Sequence, residues 1–421
     1  MKVNNLKCFS SVIVLVFLAV TEMNAQSPVG WRGSERDGFY HETGLLKTWG
    51  EAGPTMLWSI DDVGKGYSSP VIVNDRLYVT GLDNAEEKEV LSVYSLDGKN
   101  IYRTVYGTAT TASYPEARTT PTIYGDKAYV VSGAGEVVCI NIADGNIVWK
   151  VEGNTLGRST GSWGTVESVL VFDNKVIYSP GGNQTTVVAL NAQNGEIIWK
   201  SRALGEHSSY VSPLLINHNG HKSIIGATGK SVYGVNSETG NIDWTFDDWG
   251  HNRGNQEKIA PNTPLYYDGH LFFSFGYDKG SFMLKLNDDA TQATLVWRND
   301  DLDNHHGGLV VVDGIIYGSN WINNGSGNWM AVDWKTGETK YNTTWNGRSK
   351  GSIITADGML YCYEERRGAV GLVKVTPEKF EVTSEFQITL GEGPHWAHPV
   401  INDGVLYIRR GPALMAFNIK N

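Results

Sequence analysis

The chain has 421 residues, a formal net charge of −10 and only 19% charged residues. That acidic balance, with no block of lysine and arginine, argues against nucleic acid as a partner and offers no polybasic surface to anionic lipid. Its 49 glycines, 14 tryptophans and 20 tyrosines point to many tight turns and many aromatic plugs, the composition of an all-β chain.

At the N-terminus, Lys2 and Lys7 precede an apolar run from Val12 to Val20, too short to span a bilayer and suited to a signal-peptide core. Cleavage is expected near Ala25, giving an exported chain, periplasmic or secreted, with no transmembrane segment. Cys8 lies before the apolar core, so it is not placed as a lipidated cysteine. Residues 26–54 read as a lead-in. Its Gly30-Trp31-Arg32-Gly33 and Arg36-Asp37 are expected to pack along the outside or across one face, in structural roles.

From there a strand–turn–strand phrase recurs. Its turns are Asn74-Asp75, Gly125-Asp126, Asp173-Asn174, Asp268-Gly269, Asp313-Gly314, Asp357-Gly358 and Asp403-Gly404, and a degenerate copy spans Pro213 to Ile225. Each turn is flanked by apolar residues at period two, the signature of half-buried strands joined by tight hairpins. From Tyr78 to Tyr407 there are seven intervals over 329 residues, about 47 per repeat. That period belongs to four-stranded propeller blades. The expected blades are 68–105, 119–151, 163–201, 210–246, 260–299, 305–342, 349–386, and 396–420 completed by 55–60. The last repeat lacks a fourth strand, and Thr55 to Ile60 is expected to supply it and close the ring. The domain reading is therefore 1–25 signal peptide, 26–54 lead-in and 55–421 propeller. Cys139 and Cys362 fall in distant blades and are read as buried free thiols.

A second phrase ends most repeats: Asn141, Gly145 and Trp149; Asn191, Gly195 and Trp199; Asn236, Gly240 and Trp244; Asp333, Gly337 and Tyr341. The Asn or Asp caps a turn, Gly takes its left-handed position and the ring plugs the gap to the next blade. This phrase resembles the tryptophan-docking motif of the quinoprotein-like (PQQ-like) β-propeller repeat family, over about residues 55 to 420. The resemblance implies an eight-bladed, all-β propeller of four-stranded antiparallel blades. It extends to polyvinyl-alcohol-dehydrogenase-like and outer-membrane-assembly branches. The dehydrogenases this chain resembles hold pyrroloquinoline quinone (PQQ) with Ca²⁺ and stack it on two adjacent disulfide-bonded cysteines. No Cys-Cys pair exists here.

In a propeller, the segments crossing from one blade's outer strand to the next blade's inner strand meet at the mouth of the channel. They place Tyr67, Arg118, Trp163, Glu167, Tyr210, Asn262, His305, His306, Lys350, His395, Trp396 and His398 at one funnel. Arg118, Glu167 and Asn262, with Trp163 or Trp396 as a floor, match a Ca²⁺–quinone pair in residue type. Alternatively, Glu167 and Arg118 form a salt-linked rim. His305, His306, His395 and His398 match a metal site, or hydrogen-bond backbone around the rim. Three functions stay open. One is a binding or scaffold propeller, expected to be monomeric, holding a small molecule, polymer or protein at the funnel. The others are a PQQ-dependent alcohol dehydrogenase and a carbohydrate-binding propeller.

Overall fold

The computed structural model describes residues 1, 27–83, 85, 87–110, 113–248 and 259–421. The expected signal peptide lies outside the described residues. The repeats fold as eight blades around one axis. Blade 1 runs Val71–Val73, Arg76–Asp83, Lys88–Ser95, Asn100–Thr108, from the inner strand outward. Blades 2 to 7 follow with inner strands Thr122–Tyr124, Leu170–Phe172, Leu214–His218, Leu265–Tyr267, Leu309–Val312 and Gly351–Ala356. Blade 8 takes three strands from the C-terminus, and its outer strand, Thr55–Ile60, pairs antiparallel with Ala413–Asn418. Ring closure by the two ends is thus as the sequence indicates. Among the described residues no helix is long and apolar enough to cross a membrane.

The inner strands start later than the expected blade limits, at Leu170 instead of 163 and at Val400 instead of 396. The intervening residues form no strand, and Trp163, Val166, Ser168, Trp396 and His398 among them line the funnel. The hairpins behave as read: Asp268, Asp313, Asp357 and Asp403 adopt positive φ, each followed by a positive-φ glycine.

Blade-to-blade docking uses one repeated contact. The Trp149 ring lies on Gly195 of the next blade, Trp199 on Gly240, and Trp297 on Gly337. Any side chain at those glycines would collide with the ring. Trp149 Nε1 also donates to Ala192 O at 2.9 Å, and Trp199 Nε1 to Ser237 O at 3.3 Å. The closing strand repeats the device: Trp58 covers Gly98 of blade 1 and donates to Leu96 O at 2.7 Å. Arg409, fully buried, reinforces that seam by donating to Ser68 O, Thr80 O and Gly64 O.

The lead-in does more than cross one face. Val29 bridges to Ile123 of blade 2, while Phe39–Tyr40 adds a fifth strand, parallel to the inner strand of blade 7. Between these anchors the segment enters the channel as a strap. Arg36 donates to Ser168 O at 2.9 Å, Pro213 O at 3.0 Å and Val169 O, from blades 3 and 4. Arg32 donates to Ile353 O at 3.0 Å and to Leu309 O, from blades 7 and 6. Both arginines sit at positive φ, 59° and 61°, a strain of about 1–3 kcal/mol each. The charge-assisted bonds to otherwise bare axial carbonyls offset it. Burial lowers both guanidinium pKa values to about 10, which leaves them cationic at neutral pH.

Candidate binding funnel

The crossing segments converge on a cavity of about 680 Å³. Of the residues singled out from sequence, Tyr67, Arg118, Trp163, Tyr210, His305, His306, Trp396 and His398 line it; Glu167, Asn262, Lys350 and His395 do not. Trp31 of the strap also lines the cavity. Its indole donates to Thr263 Oγ1 at 3.0 Å, and its ring lies 4.5 Å from that of His398. Beyond the strap a second cavity, of about 410 Å³, opens on Glu35, Arg36 and Asp37. Strap residues thus line both cavities.

Rings form much of the funnel wall. Trp396 touches Tyr67 at 4.9 Å, Tyr114 at 4.8 Å and His306 at 5.1 Å between centroids. The arc continues through His305 to Tyr277 at 4.7 Å. Across the cavity stands Trp163 against Tyr210, 5.5 Å apart. Polar groups interleave with these faces. Arg118 donates to Trp163 O at 2.8 Å, Ser113 O at 2.7 Å and Tyr114 O, tying two crossing loops together.

The salt-linked rim is corrected by these contacts. Glu167 turns away from Arg118: it accepts from Ser179 N–H at 3.0 Å and faces Arg36. Burial pushes its carboxyl up to about 8, so it is protonated at neutral pH. The reason is alternation. Val166 and Ser168 line the cavity, and in extended backbone the residue between them points the other way. Asn262 follows the same rule beside Pro261. Its amide nitrogen bonds Asn304 O and His305 O at 2.9 Å, and its oxygen accepts from Gly308 N–H at 3.2 Å. A neutral carboxyl and a saturated amide, both off the cavity, do not make the donor set expected for a Ca²⁺–quinone pair.

The four histidines also separate. His398 Nδ1 accepts from Arg32 at 2.8 Å, so its Nε2–H donates to His306 O at 2.9 Å; both nitrogens are spent. His395, between cavity-lining Pro394 and Trp396, points inward to Tyr363 Oη at 2.6 Å, and burial lowers it to about 4. His305 and His306 instead meet Glu365, their ligand atoms within 4.8 Å of one another. Lys350, buried, pairs with Glu365 at 2.7 Å.

Tyr114, Tyr277, Glu365 and Trp31 were missed from sequence. Tyr277 and Glu365 come from hairpins between the second and third strands of their blades. These hairpins rise on the same face as the crossing segments, so the repeat register already located them. Trp31 carried only the signal of a tryptophan between glycines ahead of the repeats.

An eight-bladed, all-β propeller with tryptophan-docked blades and an aromatic funnel defines the class: a PQQ-like repeat propeller. The family model described as outer membrane protein assembly factor BamB matches residues 39–178 and 148–288, together more than half of the chain, and the chain belongs to that family. No curated protein matches the chain. Among solved structures, BamB from Moraxella catarrhalis superposes with a TM-score of 0.63 at 14% identity, covering 87% of this chain and 99% of that one. Quinohemoprotein alcohol dehydrogenase from Comamonas testosteroni gives 0.68 at 12% identity, covering 93% and 81%. A europium-containing methanol dehydrogenase gives 0.62 at 10%, covering 91% and 90%. At these identities the likeness is one of fold.

Proposed function

We propose that the protein is an exported binding propeller whose funnel holds a saccharide. The observation that supports this most is the cavity itself, lined by Trp31, Trp163, Tyr210 and Trp396. A sugar ring has apolar C–H faces and a hydroxyl edge. Aromatic faces interleaved with imidazoles, phenols, the guanidiniums of Arg118 and Arg366 and the Glu365 carboxyl match both. The volume suits one or two such rings, within the roughly 300–1,000 Å³ of small-molecule sites. Quinone-dependent alcohol oxidation is the weaker reading, because Glu167 and Asn262 are committed elsewhere. Export rests on the N-terminal pattern of Lys2 to Ala25 and is checked by sequencing the mature N-terminus.

The test is titration of the purified chain with a panel of neutral oligosaccharides, read by tryptophan fluorescence and calorimetry. Saturable binding lost in Trp163→Ala is the expected result. A panel without binders, together with spectral uptake of PQQ and Ca²⁺, would overturn the proposal in favour of the dehydrogenase.

A further inference from the structure

We infer that His305, His306 and Glu365 form a site for a divalent transition metal such as Zn²⁺ on the funnel wall. The three come from two segments, the crossing loop into blade 6 and a hairpin of blade 7, and present their ligand atoms within 4.8 Å of one another. Two imidazoles and one carboxylate are a donor set that Zn²⁺ takes with a fourth position open. All three residues line the cavity.

Three details favour a cation over a self-contained hydrogen-bond cluster. His305 Nε2 is engaged by Tyr277 Oη at 2.7 Å, which leaves its Nδ1 buried without a partner. His306 Nε2 stands 3.7 Å from Glu365 Oε2, too far for a hydrogen bond and within the reach of a bridging ion. Lys350 does not fill the gap. Its ammonium has three protons, and they serve Glu365 Oε1, Asn323 O and Asn324 O. Lys350 thus holds the carboxylate by one oxygen and leaves the other for the site.

The backbone is also fixed in advance. His305 O accepts from Asn262, and His306 O accepts from His398, whose ring is oriented by Arg32. Asn262, His398 and Arg32 are therefore positioning residues, and Gly308 leaves room for the Arg32 guanidinium against His398. Such outer partners commonly tune affinity tenfold or more.

The experiment uses chelator-stripped full chain and metal alone, so its outcome is independent of the saccharide proposal. Zn²⁺ is followed by calorimetry and Co²⁺ by visible absorption. One equivalent should bind. His306→Gln and Glu365→Gln should each weaken binding by about tenfold or more, while His395→Gln leaves it unchanged. Pulsed EPR of the Cu²⁺-loaded wild type, which needs no variant, should show two imidazole nitrogens. Absence of stoichiometric uptake, uptake unchanged in folded His306→Gln, or a Cu²⁺ spectrum without imidazole coupling would each overturn the assignment.

Discussion

The two halves of the central channel meet the same problem in opposite ways. Inner strands of the blades turn backbone carbonyls toward the axis, and such groups cannot stay bare in a buried place. Below, the strap fills the axis with Arg32 and Arg36, whose guanidiniums take carbonyls from blades 3, 4, 6 and 7. Above, the axis widens into a cavity lined by rings and by polar side chains such as Arg118 and Glu365. On the proposed reading, the lower half serves stability and the upper half serves binding. Perturbing each should therefore separate the two properties.

The largest effect is expected from deleting residues 27–60, which removes the strap and the closing strand of blade 8 together. That leaves an open sheet edge at Ala413–Asn418, so the truncated chain should be insoluble or melt far below the parent. Recovery of a soluble protein with unchanged melting would break the comparison at its base. Arg36→Met is the milder version. It strips a charged donor from three buried carbonyls, and chemical denaturation should register a loss of about 1.5–3 kcal/mol. Ligand affinity should hold.

The pH dependence sharpens the contrast. Burial raises Glu167 to about 8 and Glu89 and Asp303 to about 7. A folded carboxyl with a raised pKa keeps a proton that the unfolded chain has released above about 4.5. Its contribution is full below that value and is lost as pH rises through the folded pKa. Burial lowers His305, His306, His395 and His398. Their contribution is complete above about 6.5 and fades only as pH falls. Between pH 6.5 and 8 these carboxyls make stability decline, by at most about 1.4 kcal/mol per pH unit from Glu167. Glu167→Gln should flatten that slope, as followed by thermal melts across the range. Smallest in stability is Tyr210→Phe. It removes one hydroxyl at the funnel wall, which accepts from Trp163 N–H at 3.3 Å. About 1 kcal/mol or less should be lost, with the melting temperature nearly unchanged and saccharide affinity reduced.

How far the sequence could be read divides along the same line. Everything repetitive was legible: the turns at Asp268-Gly269 or Asp403-Gly404, the docking tryptophans, the count of blades and the closing strand. Repetition also located the funnel, since Trp163, Tyr210 and Trp396 arise from equivalent crossing segments. What failed was side-chain direction within those segments. Glu167, Asn262 and His395 each sit one residue from a lining position and point away, a period-two rule that applies to extended chain even outside the sheets. The strap had no repeat to calibrate it. Nothing in a lone Arg32 and Arg36 distinguishes a channel plug from a surface pair until eight inner strands surround them. Cys139 and Cys362 are free and buried, as their placement in distant blades indicates.

The division of labour is tested most directly by measuring oligosaccharide affinity and melting temperature together in wild type, Trp396→Ala and Arg36→Met. Affinity should collapse in Trp396→Ala with the fold retained, and persist in Arg36→Met while its melting temperature falls. The reverse pattern, a strap variant that loses ligand and a funnel variant that keeps it, would contradict the assignment of binding to the upper half.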